Sequence, residues 1–384
     1  SEVLDGARFG VAATPVGSTA AAIGRLVTAR CRTVTADRTT VGCSLLAITK
    51  VAGSLDAGGI GALRAQAFAQ LPSHRLVAVS DAIGSRAATM GATYRCQVEA
   101  EWRALVRRRD VDAVIVSTPP SLHAEMTIEA LENGKHVLCE KPLARTLEEC
   151  TRMNRAAERG GRVLATGFNY RFYPSMLKAR ELLDVGTIGE LTHVRSYAGY
   201  TAKDHNHEWL HAAEVMGGGA LRDNGIHLLD LTRYFMGEVA EVKGYASNTV
   251  WKFRGCEDNG FGLLRSPTGV IGTVQASWTE WRGYQFLVEL YGTRGCIRAW
   301  CFPTLLQLIH SNQVGGPAKK KTYFFPKVFF FEHLRSYRWV VVQSFVEEMA
   351  AFGVAIGGGA THLATGYDGL ETIRIAEAIC RDGR

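Results

Sequence analysis

A lysine set between a glutamate and a proline at the end of an apolar strand constrains this chain most. The run from Asp110 to Leu143 reads as strand, loop, helix and second strand in succession. Val114, Ile115 and Val116 form a short apolar strand. Ser117-Thr118-Pro119-Pro120 stops it, because the two prolines cannot donate to a ladder. Ser121 to Asn133 carries Leu122, Met126, Ile128 and Leu131 at helical spacing, and Gly134 stands where a helix stops. The next strand, His136 to Cys139, delivers Glu140-Lys141-Pro142 to the carboxyl edge of a parallel sheet, the edge at which open α/β sheets bind ligands. A partly desolvated lysine at such an edge can exchange protons. The same pattern also suits a surface lysine capping a turn.

A second segment favours the chemical reading. Gly217-Gly218-Gly219-Ala220-Leu221-Arg222-Asp223-Asn224-Gly225-Ile226-His227-Leu228-Leu229-Asp230 opens on three glycines, after which a helix is expected. Asp223 and His227 are four apart, which on a helix places them on one face, where a carboxylate can orient or charge an imidazole.

Glu-Lys-Pro followed by Gly-Gly-Gly-Ala-Leu-x-Asp-x-Gly-x-His-x-x-Asp resembles the Gfo/Idh/MocA family, the group of glucose-fructose oxidoreductase, inositol dehydrogenase and related sugar dehydrogenases. The resemblance runs from about Ala57 to the C-terminus. It includes Val77 to Asp81, Ser117 to His123, Gly167-Phe168-Asn169-Tyr170-Arg171 and Ala364 to Leu370. It implies an N-terminal Rossmann domain and an α+β domain with a large, mainly antiparallel open sheet whose face serves oligomer contact. It also implies a cis Lys141-Pro142 bond.

A chain of 384 residues is long for one core, so two domains are expected. The alternation of helical and extended signals places a Rossmann domain at residues 46–167 and the α+β domain at 168–384, with 1–45 as an N-terminal extension. The net charge of +7 comes from scattered basic residues. The one clear run, Lys319-Lys320-Lys321 before the aromatic stretch Tyr323 to Phe331, reads as a loop leading into a buried or oligomer-facing strand, and no nucleic-acid partner is expected. Nine cysteines without a Cys-x-x-Cys pair fit a reducing cytoplasm and no zinc site. No fully apolar run of about eighteen residues is present and Glu2 and Asp5 precede any basic residue, so neither membrane span nor signal peptide is expected.

Gly58-Gly59-Ile60-Gly61 opening a helix matches the turn at which backbone N–H groups approach a pyrophosphate. Asp81 ends the next strand, the place where a carboxylate accepts hydrogen bonds from an unphosphorylated adenosine ribose. NAD is therefore favoured, with Ser85 and Arg86 leaving NADP open. Asp56 stands where the fingerprint has its first glycine, after a strand expected within Leu46 to Leu55, and Phe9 to Asp37 sketches a rival strand, helix and strand. With the resemblance, Ser117, Thr118, Pro119, His123, Glu140 and Lys141 complete the expected cofactor surface.

Oxidising a secondary alcohol requires a proton acceptor within hydrogen-bond reach of the oxygen. Lys141 and His227 are the candidates, with Asp223 orienting the pair. Asn169, Arg171, His205, His207 and Asn224 are the expected partners of a sugar or cyclitol; His205, His207 and His211 lack the spacing of a zinc helix, and no metal is expected. Two further readings stay open: a glycoside-cleaving enzyme that oxidises transiently with NAD, and a catalytically silent NAD sensor.

Overall fold

The structure, a computed structural model, describes residues 43–49, 59–72, 74–204, 208–335 and 338–382. The N-terminal half runs β1 (Cys43–Thr49), α1 (Ile60–Phe68), β2 (His74–Ser80), α2 (Gly84–Tyr94), β3 (Gln97–Val98), α3 (Trp102–Val106), β4 (Ala113–Ser117), α4 (His123–Glu132), β5 (His136–Cys139), α5 (Leu147–Gly160) and β6 (Leu164–Thr166). The strands form one parallel sheet in the order β3-β2-β1-β4-β5-β6. That order reverses direction between β1 and β4, which opens a crevice at the carboxyl ends of the strands.

Local sequence explains the elements that frame this crevice. Thr146 caps α5 by accepting the Glu149 amide at 3.1 Å, and Glu148 and Glu149 occupy its first turn. Gly161 ends the helix with φ +57°, a left-handed conformation that costs glycine little. Pro120 to Leu122 forms a 3-10 turn that leads into α4, so the Ser117–Pro120 loop crosses the sheet edge directly from β4. β1 begins at Cys43, ahead of the expected Leu46 to Leu55; Val51 to Asp56 and the Phe9 to Asp37 rival lie outside the described residues.

The second half contains α6 (Pro174–Asp184), β7 (Leu191–Gly199), α7 (Ala213–Met216), α8 (Gly225–Met236), β8 (Glu241–Ser247), β9 (Asn259–Arg265), β10 (Ile271–Ser277), β11 (Gln285–Gly292), β12 (Gly295–Trp300), β13 (Leu305–His310), β14 (Lys319–Phe324), α9 (Pro326–Arg335), α10 (Arg338–Ile356) and α11 (Gly366–Asp382). Eight strands form a sheet in the order β14-β13-β12-β11-β7-β10-β9-β8. Every pair is antiparallel except β7 with β10. Period-two alternation buries Leu264, Val274, Ala276, Val194 and Val288 on one face, across which α8 packs. Among the described residues the other face stays open.

Two expectations about the C-terminal region are corrected. Lys319–Lys321 is not a loop but part of edge strand β14, where lysines discourage pairing with another chain. Of the aromatic stretch Tyr323 to Phe331 only Tyr323 and Phe324 are strand, as the end of β14; from Pro326 it is helix α9, since Pro326 donates nothing to a ladder and suits a first helical turn. Helix α10 is long and apolar enough to cross a membrane by length and composition alone. Here its Val342, Phe345, Met349 and Phe352 pack against Leu63, Phe68, Ala113, Ile115 and Leu138, so the chain returns to cover one face of the Rossmann sheet.

Candidate active site

β5 ends at Cys139, and the chain turns through Glu140 and a cis Lys141-Pro142 bond at the crevice. Lys141 Nζ donates to the main-chain oxygen of Asp223 at 3.0 Å and to its carboxylate at 3.4 Å. The other carboxylate oxygen of Asp223 accepts the Tyr200 hydroxyl, and Trp278 Nε1 donates to it at 3.2 Å. Burial, then the charge of Asp223, push the Tyr200 phenol well above its ordinary range, so Tyr200 is a donor at neutral pH.

Asp223 is not on the helix that carries His227. Residues 221–224 form a turn and α8 starts at Gly225, so the expected four-residue helical relationship is not formed. The cause lies in the glycines. Glu257, itself buried, accepts the Gly219 and Leu221 amides at 2.8 Å each, and a Cβ at position 219 would come within 2.2 Å of the Glu257 carbonyl oxygen. The clamped turn points the Asp223 carboxylate to Lys141, Tyr200 and Trp278.

His227 is 4% exposed, stacked on Tyr170 at 4.1 Å between ring centroids and edge-on to Phe168. Its Nδ1 has no hydrogen-bond partner among the described residues. Burial first, then the charges of Lys141 and Arg64, hold the imidazole well below its ordinary pKa. It is therefore neutral at physiological pH and can hydrogen-bond, but carries no charge.

The expected substrate partners divide. Arg171 is corrected to a structural role: it is 5% exposed, its Nε and Nη2 grip Asp230 at 2.8 and 2.6 Å, and Nη1 donates to the His362 carbonyl. A buried guanidinium requires such a partner. Asn169 is likewise turned away, its amide donating to Ser344 on α10 at 2.8 Å. Asn224 stays beside the lysine–aspartate pair but exchanges hydrogen bonds with Tyr284, which meets Tyr170 at 2.7 Å. His205 and His207 lie outside the described residues.

Gly58 lies outside the described residues; Gly59 and Ile60 start α1, with Ile60 41% exposed at the crevice end. Asp81 follows β2 and accepts the Ile83 amide at 2.8 Å. Ser117 Oγ and Thr118 Oγ1, at the end of β4, are buried and have no hydrogen-bond partner among the described residues. His123 is corrected from cofactor contact to brace: fully buried, it reaches the Thr118 and Pro142 carbonyls at 2.7 and 2.9 Å, tying the Pro119 loop to the lysine turn. Glu140 accepts from Arg64 and, at 3.1 Å, from the Lys141 amide, so its carboxylate is engaged inside the protein.

The sequence reading missed Arg64, Tyr200, Glu257, Trp278 and Tyr284. Only Arg64 left a signal, the single charge on a helix of otherwise uncharged residues, which demands a distant partner.

A parallel sheet in this order, with buried hydroxyls at its switch point and a lysine–aspartate pair over the same edge, has the layout of a nicotinamide-dependent oxidoreductase. The chain belongs to the Gfo/Idh/MocA family. Residues 53–168 match the oxidoreductase family's NAD-binding Rossmann fold, and residues 176–298 match the Gfo/Idh/MocA C-terminal domain. The uncharacterized oxidoreductase YrbE of Bacillus subtilis is 31% identical over 334 residues, 85% of this chain and 92% of its own. A myo-inositol 2-dehydrogenase of Thermotoga maritima is 30% identical, covering 85% of this chain and 94% of its own. A solved levoglucosan dehydrogenase in complex with NADH and levoglucosan superposes with a TM-score of 0.76 at 25% identity, covering 88% of this chain and 97% of that one. The protein is an NAD-dependent oxidoreductase.

Proposed function

We propose that this enzyme oxidises one secondary hydroxyl of a cyclitol or sugar, or reduces the corresponding ketone, with Lys141 transferring the proton at the substrate oxygen. Bound NAD supplies the hydride acceptor. The observation that carries the reading is the Lys141–Asp223 pair at the carboxyl edge of β5, beside the hydroxyls of Ser117 and Thr118. Asp223, held by Tyr200 and Trp278, fixes the direction of the lysine Nζ. Neutral His227 serves as a hydrogen-bonding partner to the same oxygen. Asp81 holds the adenosine ribose.

The names of the relatives, an inositol dehydrogenase and a levoglucosan dehydrogenase, favour a polyhydroxylated ring. Asn224, Tyr200, Tyr284 and His227 are polar groups that such a ring would meet, with His205 and His207 as further candidates. The test is kcat/KM for inositols, hexoses and isopropanol, followed by the absorbance of reduced nicotinamide. Preference for a polyol supports the reading, because a site built for several hydroxyls leaves its own groups unpaired against a plain alcohol; equal values overturn it. Net reduction of the cofactor also separates a dehydrogenase from a transient oxidation or a silent sensor.

We further read the enzyme as a cytosolic homo-oligomer, a dimer or tetramer, joined through the open sheet face and with neither nucleic-acid nor membrane partner. Tyr245 is 73%, Phe261 45% and Leu263 51% exposed there, and Tyr245 and Phe261 are paired in register. The seven cysteines whose side chains are described are free thiols, as a reducing compartment would keep them. Sedimentation of the wild type against a Tyr245→Glu/Phe261→Glu variant tests the interface: an unchanged oligomer overturns it.

A further inference from the structure

Arg64 is fully buried on α1, the helix that starts at the cofactor crevice. Its Nε donates to Glu140 and its Nη1 to Glu348 on α10 at 2.7 Å. The guanidinium lies 4.4 Å above the Phe345 ring. Gly167 closes the remaining side, where a Cβ would come within 2.6 Å of Nη2. Glu140 in turn accepts the amide of Lys141 at 3.1 Å. One rigid fork therefore connects the cofactor helix α1, helix α10 and the backbone of the lysine turn.

We propose that Arg64 is a positioning residue for hydride transfer: by bridging Glu140 to Glu348 it fixes the Lys141 turn, and its cation sets the field under Lys141 and His227. This inference rests on the assignment of proton transfer to Lys141. The groups that form the field are few. Lys141 faces Asp223, which shares its carboxylate with Tyr200; His227 faces Lys141, Arg64 and the stacked Tyr170; Arg64 faces Glu140 and Glu348. Nη2 of Arg64 and Oε1 of Glu348 are buried without hydrogen-bond partners among the described residues, so the fork carries charge that its described hydrogen bonds do not fully absorb. The charge of Arg64 already contributes to keeping His227 neutral.

A purely structural fork would neutralise two buried carboxylates and do nothing to the proton chemistry. The two roles separate in the pH profile of kcat/KM for alcohol oxidation. Arg64→Met/Glu348→Gln removes the cation and one of its carboxylates together, so that no second buried charge is stranded at α10. Compared with Glu348→Gln alone, from which it differs only by the cation, the double variant protonates its site more readily, and its acid limb is expected to lie at higher pH by about half a unit or more. Arg64→Lys keeps the charge but cannot span both carboxylates in a planar fork. Its acid limb should stay in place while kcat falls by about tenfold or more, with NADH affinity, read by fluorescence titration, within a few-fold of wild type. An acid limb in the double variant unmoved from that of Glu348→Gln, or wild-type kcat in Arg64→Lys, overturns the proposal; if the double variant does not fold, the Arg64→Lys result decides it. Lys141→Met is run alongside. Turnover surviving in that variant would sink the lysine assignment itself, whereas an inactive Lys141→Met with an unmoved limb sinks Arg64 alone.

Discussion

Lys141 Nζ lies 3.0 Å from the main-chain oxygen of Asp223 and 3.4 Å from its carboxylate, although the two residues belong to different halves of the molecule. The parallel sheet presents the lysine, and the glycine turn clamped by Glu257 presents the aspartate. Because each half holds one member, the relative placement of the halves sets the distance on which proton transfer depends. The Arg64–Glu348 contact braces that placement, while His123 ties the Thr118 loop to the Pro142 turn within the first half.

Asp81 is expected to select the cofactor. A carboxylate there accepts ribose hydroxyls and repels a 2′-phosphate. Asp81→Ser should raise the ratio of kcat/KM with NADP to that with NAD, measured with one substrate. A wild type that already prefers NADP would move the assignment to Ser85 and Arg86.

Arg171 is expected to govern stability rather than substrate affinity. Arg171→Met leaves Asp230 as a buried, unpaired carboxylate, which burial already lifts to about pKa 6 despite the arginine. Loss of one partner from such a pair costs about 3–5 kcal/mol. Denaturant unfolding should report that loss, with KM near wild type in the folded fraction. An unchanged midpoint with a raised KM would restore Arg171 to the substrate.

The motif residues were legible because each sits beside glycine or proline: Lys141 before Pro142, Asp223 and His227 around the glycines. Orientation was not. Asn169 and Arg171 stand in the same motif as Tyr170, yet only Tyr170 faces the histidine, because Asp230 and Ser344 draw the other two inward. The Asp223–His227 spacing fits a helix only if the helix includes both, and the Glu257 clamp delays its start to Gly225. The fold class was readable from alternating periodicity. The return of α10 onto the Rossmann sheet was not, since an apolar helix does not name the face it will cover; Glu348 within it was the one sign that a buried cation waited elsewhere.

Glu348 is expected to make stability depend on pH in a recognisable direction. Burial raises its carboxyl to about pKa 7, above the ordinary value of about 4.3 for the unfolded chain. A raised folded pKa means that the native state holds the extra proton, so this group's contribution is present at low pH and is lost as pH rises through about 7. Relative to wild type, Glu348→Gln should therefore gain melting temperature progressively between about pH 4 and pH 7 and level off above that. A difference independent of pH would contradict the shift.

The most direct test of the account is the turnover of Lys141→Met on the best polyol substrate, with NADH affinity measured on the same preparation. The account predicts a kcat lower by about a hundredfold or more, the usual scale for a positioned acid or base, with cofactor affinity within a few-fold of wild type. A kcat near wild type would contradict it.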